Sequence, residues 1–361
     1  MDGGRTKLGI LVVGAGFLGA QRAAAARLAR GTRLVAVCDA VPAVAEAVAS
    51  RHRVPAFADF ALALKHPGVD AVVVATPHSD HDEQVRASLL AGKHVLCEKP
   101  LAIDPTTARD LASLAEASHL TLATGLNHRL LVPIRELIGL VRAGAMGKVE
   151  SVRVAIGHRA SMAFMQSWHT NRARSGGGTL IDNGPHACDL IWLLLGEVVG
   201  AFGYLRQGEG ECEVEAFALF RGAGQATAEL RSSWALETGY LTLEVRGREG
   251  YLRAGTAPWR LEGVLSDGRR IARSYLAKRV LERAFQRLLG CDATLVEELE
   301  RFALNVAGYP VEAASGWDGC RASEMVAAVY RSARLGREVA LRSDCPRDPE
   351  TRFPTIREVA A

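Results

Sequence analysis

Apolar and polar positions follow two different periods along this chain, and the change falls near residue 126. Residues 7–13, 34–38, 70–76, 93–97 and 120–125 are short apolar runs rich in Val, Ile, Leu and Ala. Continuous runs of that length fit strands buried on both faces. Helical stretches lie between them, from residue 17 to about 30, over 80–91 and over 104–118, the last opened by an Asp104-Pro105 cap and first-turn proline. Strands alternating with helices predict a parallel, doubly wound sheet covered on both faces. Beyond a helical stretch around 133–143, residues 149–156, 213–220, 226–234 and 241–246 alternate with period two, separated by glycine-containing turns such as 221–224. Strands that follow one another without helices predict an α+β domain with a large, mainly antiparallel open sheet. The expected division is an α/β domain over 1–126, the α+β domain over 127–341 and a C-terminal arm over 342–361, where Pro346, Pro349 and Pro354 favour extended chain.

The first apolar run ends directly in Gly14-Ala15-Gly16-Phe17-Leu18-Gly19. This strand, tight turn and helix order is that of a dinucleotide site in a Rossmann domain. Gly14 suits the turn, Gly16 lets the backbone approach a pyrophosphate, and Gly19 lets helix and strand pack closely. The helix N-terminus, entered through Phe17 and Leu18, offers unpaired N–H donors to an anion. The second run ends in Asp39, twenty positions after Gly19, where a carboxylate can bind a ribose 2′-hydroxyl. Ala40 and Val41 follow, with no cation to meet a 2′-phosphate, so the expected cofactor is NAD, with NADP less favoured. The plainer reading is a simple turn and a solvated strand end.

A chain of 361 residues exceeds what one core usually supports. No apolar run approaches the roughly 20 residues that span a bilayer, and the expected location is the cytoplasm. The seven cysteines are scattered and never spaced C-x-x-C, which reads as reduced thiols and no metal site. A net charge of +4 with dispersed basic residues does not point to nucleic acid. The one dense basic stretch, 267–289, repeats Leu276, Val280, Ala284 and Leu288 at helical spacing. It reads as an amphipathic helix with a solvated charged face, or as cations facing a substrate phosphate.

Glu98-Lys99-Pro100 follows the strand at 93–97, and a Lys-Pro bond there is a candidate for the cis form. Together with the glycine loop, Thr76-Pro77, His81, the segment from Gly176 to Asp189 that contains Asp182-Asn183-Gly184-Pro185-His186, and Asp318-Gly319, this motif resembles the Gfo/Idh/MocA oxidoreductases over residues 7–341. The resemblance implies a nicotinamide-dependent dehydrogenase for a secondary hydroxyl of a sugar, cyclitol, aminosugar glycoside or nucleotide sugar. It implies that Lys99 reaches the reacting hydroxyl and the nicotinamide ribose, that His186 is the acid/base, and that Asp182 holds or tunes it. It also sets Thr76, Pro77, His81, Glu98 and Lys99 against the cofactor. A homodimer or homotetramer is expected from it and from the open sheet face. The same family includes a corepressor that uses the fold as a sensor, and the joint retention of Lys99, Asp182 and His186 argues against that alternative.

The chemistry supports these roles on its own terms. Removing hydride from an alcohol requires a base for the hydroxyl proton, which histidine supplies near neutrality. A lysine cation stabilises developing alkoxide charge. Asp182 and His186 are four apart and share one face if the segment is helical. Plainer readings stand beside each: a surface lysine at a strand end, a helix-start histidine, an N-cap aspartate. His78 and His81 without further ligands fit loop and cap roles better than a metal site. His128 and Arg129, after the strand at 120–125, sit where open sheets present ligand. Trp168 and Arg172 belong to a polar, aromatic segment suited to sugar hydroxyls, or to a loop with no ligand role.

Overall fold

Five of the six strands of the first sheet are buried because β-branched and aliphatic side chains point to both of its faces. The computed structural model describes residues 7–341 and Cys345, with the backbone alone for 236–239. The first domain runs β1 (Leu8–Val13), α1 (Phe17–Leu28), β2 (Thr32–Cys38), α2 (Pro42–His52), β3 (Ala56–Phe57), α3 (Phe60–Leu64), β4 (Ala71–Val74), α4 (His81–Leu90), β5 (His94–Cys97), α5 (Pro105–Ala117) and β6 (Leu122–Thr124). All pairings are parallel, in the order β3-β2-β1-β4-β5-β6. The order reverses between β1 and β4, which places the ligand crevice at their carboxyl ends. Alternate residues of β1 feed two cores: Leu11 and Val13 meet one, Ile10 and Val12 the other.

The second domain continues with α6 (Val132–Arg142), β7 (Val149–Arg159), α7 (Met162–Met165), α8 (Arg172–Ser175), α9 (Thr179–Leu195), β8 (Val198–Gln207), β9 (Glu213–Gly222), β10 (Thr227–Ser233), β11 (Ala235–Gly247), β12 (Tyr251–Thr256), β13 (Trp259–Val264) and β14 (Arg270–Ser274). It ends with α10 (Leu276–Leu289), α11 (Ala293–Val306), α12 (Gly316–Leu335) and β15 (Val339–Ala340). The nine strands form a mixed, mostly antiparallel sheet, β14-β13-β12-β11-β7-β10-β9-β8-β15. Its one parallel pair is β7 with β10. Helices α6, α9 and α12 cover one face. On the other, Phe202, Tyr204, Phe217 and Leu219 stand 38–63% exposed on neighbouring strands, with Phe202 opposite Leu219 and Tyr204 opposite Phe217.

Two expectations change. The stretch 267–289 is not one helix, because Asp267-Gly268 closes a hairpin, with Gly268 at φ +79°, and β14 pairs with β13 before α10 begins. The chain also returns across its sequence division: Leu295, Leu299 and Phe302 of α11 complete one core of the first sheet, and Cys320 of α12 enters the other. Apart from Cys345, the arm expected over 342–361 lies outside the described residues.

One buried charge cluster joins these pieces. Arg22 on α1, fully buried, donates to Glu98 after β5 (Nε–Oε1 2.6 Å) and pairs with Glu298 on α11 (2.6 Å). Burial, helped by Glu98, pushes the Glu298 carboxyl up to about 7, Arg22 pulling only partly the other way. A carboxyl whose folded pKa is raised stabilises the fold fully below its ordinary range near 4.5, and that contribution is lost as pH rises through about 7. Glu298→Gln should therefore gain on the natural protein as pH rises from 5 to 8, the difference in Tm widening by about 3 °C. A difference that stays flat across thermal scans at those pH values would refute the assignment.

Candidate active site

Every strand of the first sheet delivers its loop to one edge, and the chemistry-bearing residues collect there. Gly14 lies at φ +84°, and a Cβ on it would meet the backbone of Ala75. A Cβ on Gly19 would strike the Gly14 carbonyl oxygen, so α1 and β1 approach as closely as their backbones allow. Gly16 has nothing within 4 Å of where its Cβ would be. That open space faces the N-terminus of α1, which carries no side-chain cap and leaves the amides around Phe17 and Leu18 for an anion. This donor set fits a pyrophosphate. Asp39 at the end of β2 accepts from the amides of Ala15 (2.7 Å) and Val41 (2.9 Å), which fixes its carboxylate beside the loop.

The loops after β4 and β5 are tied together by His81. Its ring contacts the carbonyls of Pro100 (2.8 Å) and Thr76 (3.0 Å), and it is fully buried. Thr76 bonds Gln84 through its hydroxyl (2.7 Å), and Pro77 precedes a short 3-10 turn. The Lys99–Pro100 bond is cis. Glu98 does not face a ligand, since its carboxylate is held by Arg22. A lone acidic residue beside the lysine of this motif reads as a ligand contact, and its partner lies 76 residues earlier. Lys99 points the other way, across to the second domain, and donates to the carbonyl (2.6 Å) and carboxylate (2.8 Å) of Asp182. An ammonium has three donors, so one remains beyond the two that Asp182 takes.

Asp182 and His186 both lie on α9, as their spacing predicts. Their partners differ from expectation. The Asp182 carboxylate is taken by Lys99 and by the Trp234 indole N–H (2.9 Å), and it does not hydrogen-bond His186. Burial raises the Asp182 carboxyl, but Lys99 and Trp234 outweigh it and hold the group well below the carboxylate range. Nor is Asp182 the N-cap, a position held by Gly178. The first amides of α9 are instead bound by Glu213 from β9, which accepts from Gly178 (2.9 Å) and Leu180 (3.0 Å) and from the Tyr330 hydroxyl (2.7 Å).

His186 stacks on His128, their ring centroids 3.7 Å apart, and Nδ1 of each is buried without a hydrogen-bond partner. Burial, the neighbouring ring and the Lys99 charge hold His186 well below 6.5. Burial and Lys99 bring His128 down to about 4. Both imidazoles are neutral at pH 7. Arg129, expected near substrate, turns inward and forks onto Asp189 of α9, with Nε–Oδ2 at 3.0 Å. Arg172 engages Glu211 through its backbone amide (3.3 Å). Trp168 stacks on His169 (3.9 Å) and meets the buried His78 edge-on (4.8 Å), and Phe164 joins this group to Trp234. Trp234, Glu213 and Arg22 carry no local sequence signal, because their hydrogen-bond partners Asp182, Leu180 and Glu98 lie 52, 33 and 76 positions away, respectively.

Residues 8–126 match the profile described as an oxidoreductase family with an NAD-binding Rossmann fold, and residues 134–253 that of the GFO/IDH/MocA C-terminal domain. D-glucoside 3-dehydrogenase of Escherichia coli (strain K12) is 28% identical over 335 residues, 85% of this chain and 90% of that protein. 1,5-Anhydro-D-fructose reductase of Ensifer adhaerens is 30% identical over 191 residues, 52% of this chain, and the match spans only 57% of that relative. The solved structure of GenD2 from gentamicin A biosynthesis, in complex with NAD, aligns with a TM-score of 0.81 at 28% identity, over 94% of this chain and 97% of that one.

The two glycine roles separate in experiment. Gly16→Val should leave the Tm within about 2 °C, since nothing stands where its side chain goes, yet weaken NADH at least about tenfold by fluorescence titration. Gly19→Ala should lower stability by about 2 kcal/mol or more, because the Gly14 carbonyl must move. Equal effects of the two on stability would contradict this geometry.

Proposed function

This chain belongs to the Gfo/Idh/MocA oxidoreductase family, and from that premise we propose that it oxidises, or in reverse reduces, a secondary hydroxyl of a carbohydrate-type substrate with NAD. The observation that carries the reading is Lys99, gripped by Asp182 with one donor to spare, beside the stacked His128–His186 pair at the sheet's carboxyl edge. The glycine loop and Asp39 would hold the cofactor. When bound, NAD supplies the hydride acceptor. Lys99 donates to the reacting oxygen and stabilises negative charge as it develops there. His186, held neutral by burial and the neighbouring charges, takes the hydroxyl proton. Asp182 positions Lys99 and does not act on His186 directly.

The aromatic group of Phe164, Trp168 and Trp234 suits the apolar face of a pyranose. In the same loop Arg174 lies 3.6 Å from Asp80, and the Arg172 guanidinium reaches only the Glu211 backbone carbonyl, at 3.5 Å. Arg269 and Arg273 of the basic stretch likewise meet Asp267 and Glu136. This favours an uncharged or amino-bearing glycoside over a nucleotide sugar. The glucoside dehydrogenase and GenD2 similarities support the same class.

The apolar patch of Phe202, Tyr204, Phe217 and Leu219 supports a homo-oligomer assembled through the open sheet face. Among the described residues no helix is long and apolar enough to cross a membrane.

NAD reduction followed at 340 nm across glycosides, aminosugar glycosides, inositols and nucleotide sugars tests the activity. Lys99→Ala and His186→Ala should each lower kcat/KM by about 10³ while NADH binding changes only a few-fold. Because His186 stays deprotonated well below 6.5, kcat/KM for oxidation should hold level through pH 6; a fall centred near 6.5 would point to an ordinary, solvated base. Tyr204→Arg with Leu219→Glu should yield monomers by light scattering, and an unchanged mass would move the interface elsewhere.

A further inference from the structure

Cys320 and Cys345 are separated by 25 positions, yet their Sγ atoms lie 2.9 Å apart. That is closer than the ~3.5–4.0 Å at which non-bonded atoms rest, and within about 1 Å of the ~2.05 Å of a disulfide. Both side chains are buried, 0% and 5% exposed, in the apolar layer on one face of the first sheet with Leu101, Leu111 and Leu122. The chain takes a long route between them. From Cys320, α12 runs across to β8 in the second domain, β15 adds to the edge of that sheet, and Cys345 is back against the first core.

We propose that Cys320 and Cys345 are an oxidisable pair whose disulfide staples the end of the described chain to the cofactor domain. With hydrogen peroxide as oxidant, one thiol becomes a sulfenic acid and releases water. The second sulfur then displaces the hydroxyl as a second water, so two thiols lose two electrons and two protons and one peroxide becomes two waters. The closed loop contains most of α12 and all of β15, and so links both domains covalently.

A metal site is the competing use of the same atoms, because Glu324 brings a third ligand within 4.8 Å of both sulfurs. Two thiolates on a tetrahedral zinc ion, each about 2.3 Å from it, would sit roughly 3.8 Å apart. Glu324 is also committed to Arg109 at 2.7 Å, a cation where a second cation would have to bind. The contact with Cys345 and burial push the Cys320 thiol up, which disfavours the pair of thiolates a metal needs and makes closure slow with dilute oxidant.

The test uses the full chain, treated with hydrogen peroxide under native conditions, alkylated and mapped as non-reduced peptides. The expected result is a Cys320–Cys345 linked peptide two mass units below the sum of its reduced parts, with the other five thiols alkylated after denaturation. The Tm should rise by about 5 °C and fall back with dithiothreitol, and Cys345→Ser should abolish the rise. Alkylation of either cysteine, pairing with a different cysteine, or oxidation beyond sulfenic acid without a link would overturn the proposal. Stoichiometric zinc in the untreated protein would overturn it in favour of the metal. The peptide map of the natural sequence decides the matter even if the variant fails to fold.

Discussion

The contact on which the arrangement depends is the one Lys99 makes with Asp182. It joins the loop after β5 in the first domain to α9 in the second, and its side chains are 15% and 13% exposed. Withdrawing two charges from water is expensive, and a simple ion pair rarely recovers the cost. Here the oxygens are served three ways: Lys99 reaches both the carboxylate and the backbone carbonyl of one residue, and Trp234 closes the second carboxylate oxygen. The lysine is thereby aimed, and its remaining donor has a fixed direction. Each partner rests on a further buried carboxylate. Arg22 holds Glu98, the residue before Lys99, and Glu213 holds the amides at the start of α9.

This layered support explains which parts of the molecule its sequence discloses. A strand buried on both faces leaves a continuous apolar run, and a nucleotide turn needs glycines at fixed offsets, so β1, the glycine loop, Asp39 and the alternation to β6 are legible. The i, i+4 spacing of Asp182 and His186 is legible for the same reason, since α9 is one local element. Partnership is not. Glu98 and Arg129 look like ligand contacts because charge beside a motif carries no record of a counter-charge elsewhere, yet Arg22 and Asp189 consume them.

Periodicity also states that a helix is two-sided without stating which side faces inward. In α10, Leu276, Val280, Leu281 and Leu288 are 60–83% exposed, while Arg279 rests on the Trp259 ring and Phe285 packs against the first core. At Asp267-Gly268 a local turn signal competes with the longer helical pattern that follows it. Competing local signals are decided by what each segment packs against, which for β14 is β13.

The same logic governs the charge in the site. His128, His186 and Lys99 are mutually close enough that each imidazole is lowered by the lysine, and the two rings touch. The Lys99 charge is paired with Asp182, and burial disfavours a further positive charge on either ring. A proton arriving on His186 therefore enters a pocket that disfavours it, and the stacked ring adds to the penalty. Lys99 lowers the basicity of His186, and in the proposed reaction it would also make the substrate hydroxyl more acidic by stabilising its alkoxide, so donor and acceptor would move together. Under the proposed reaction, the arrangement would give a histidine that stays deprotonated over a wide pH range and a proton that does not settle on it.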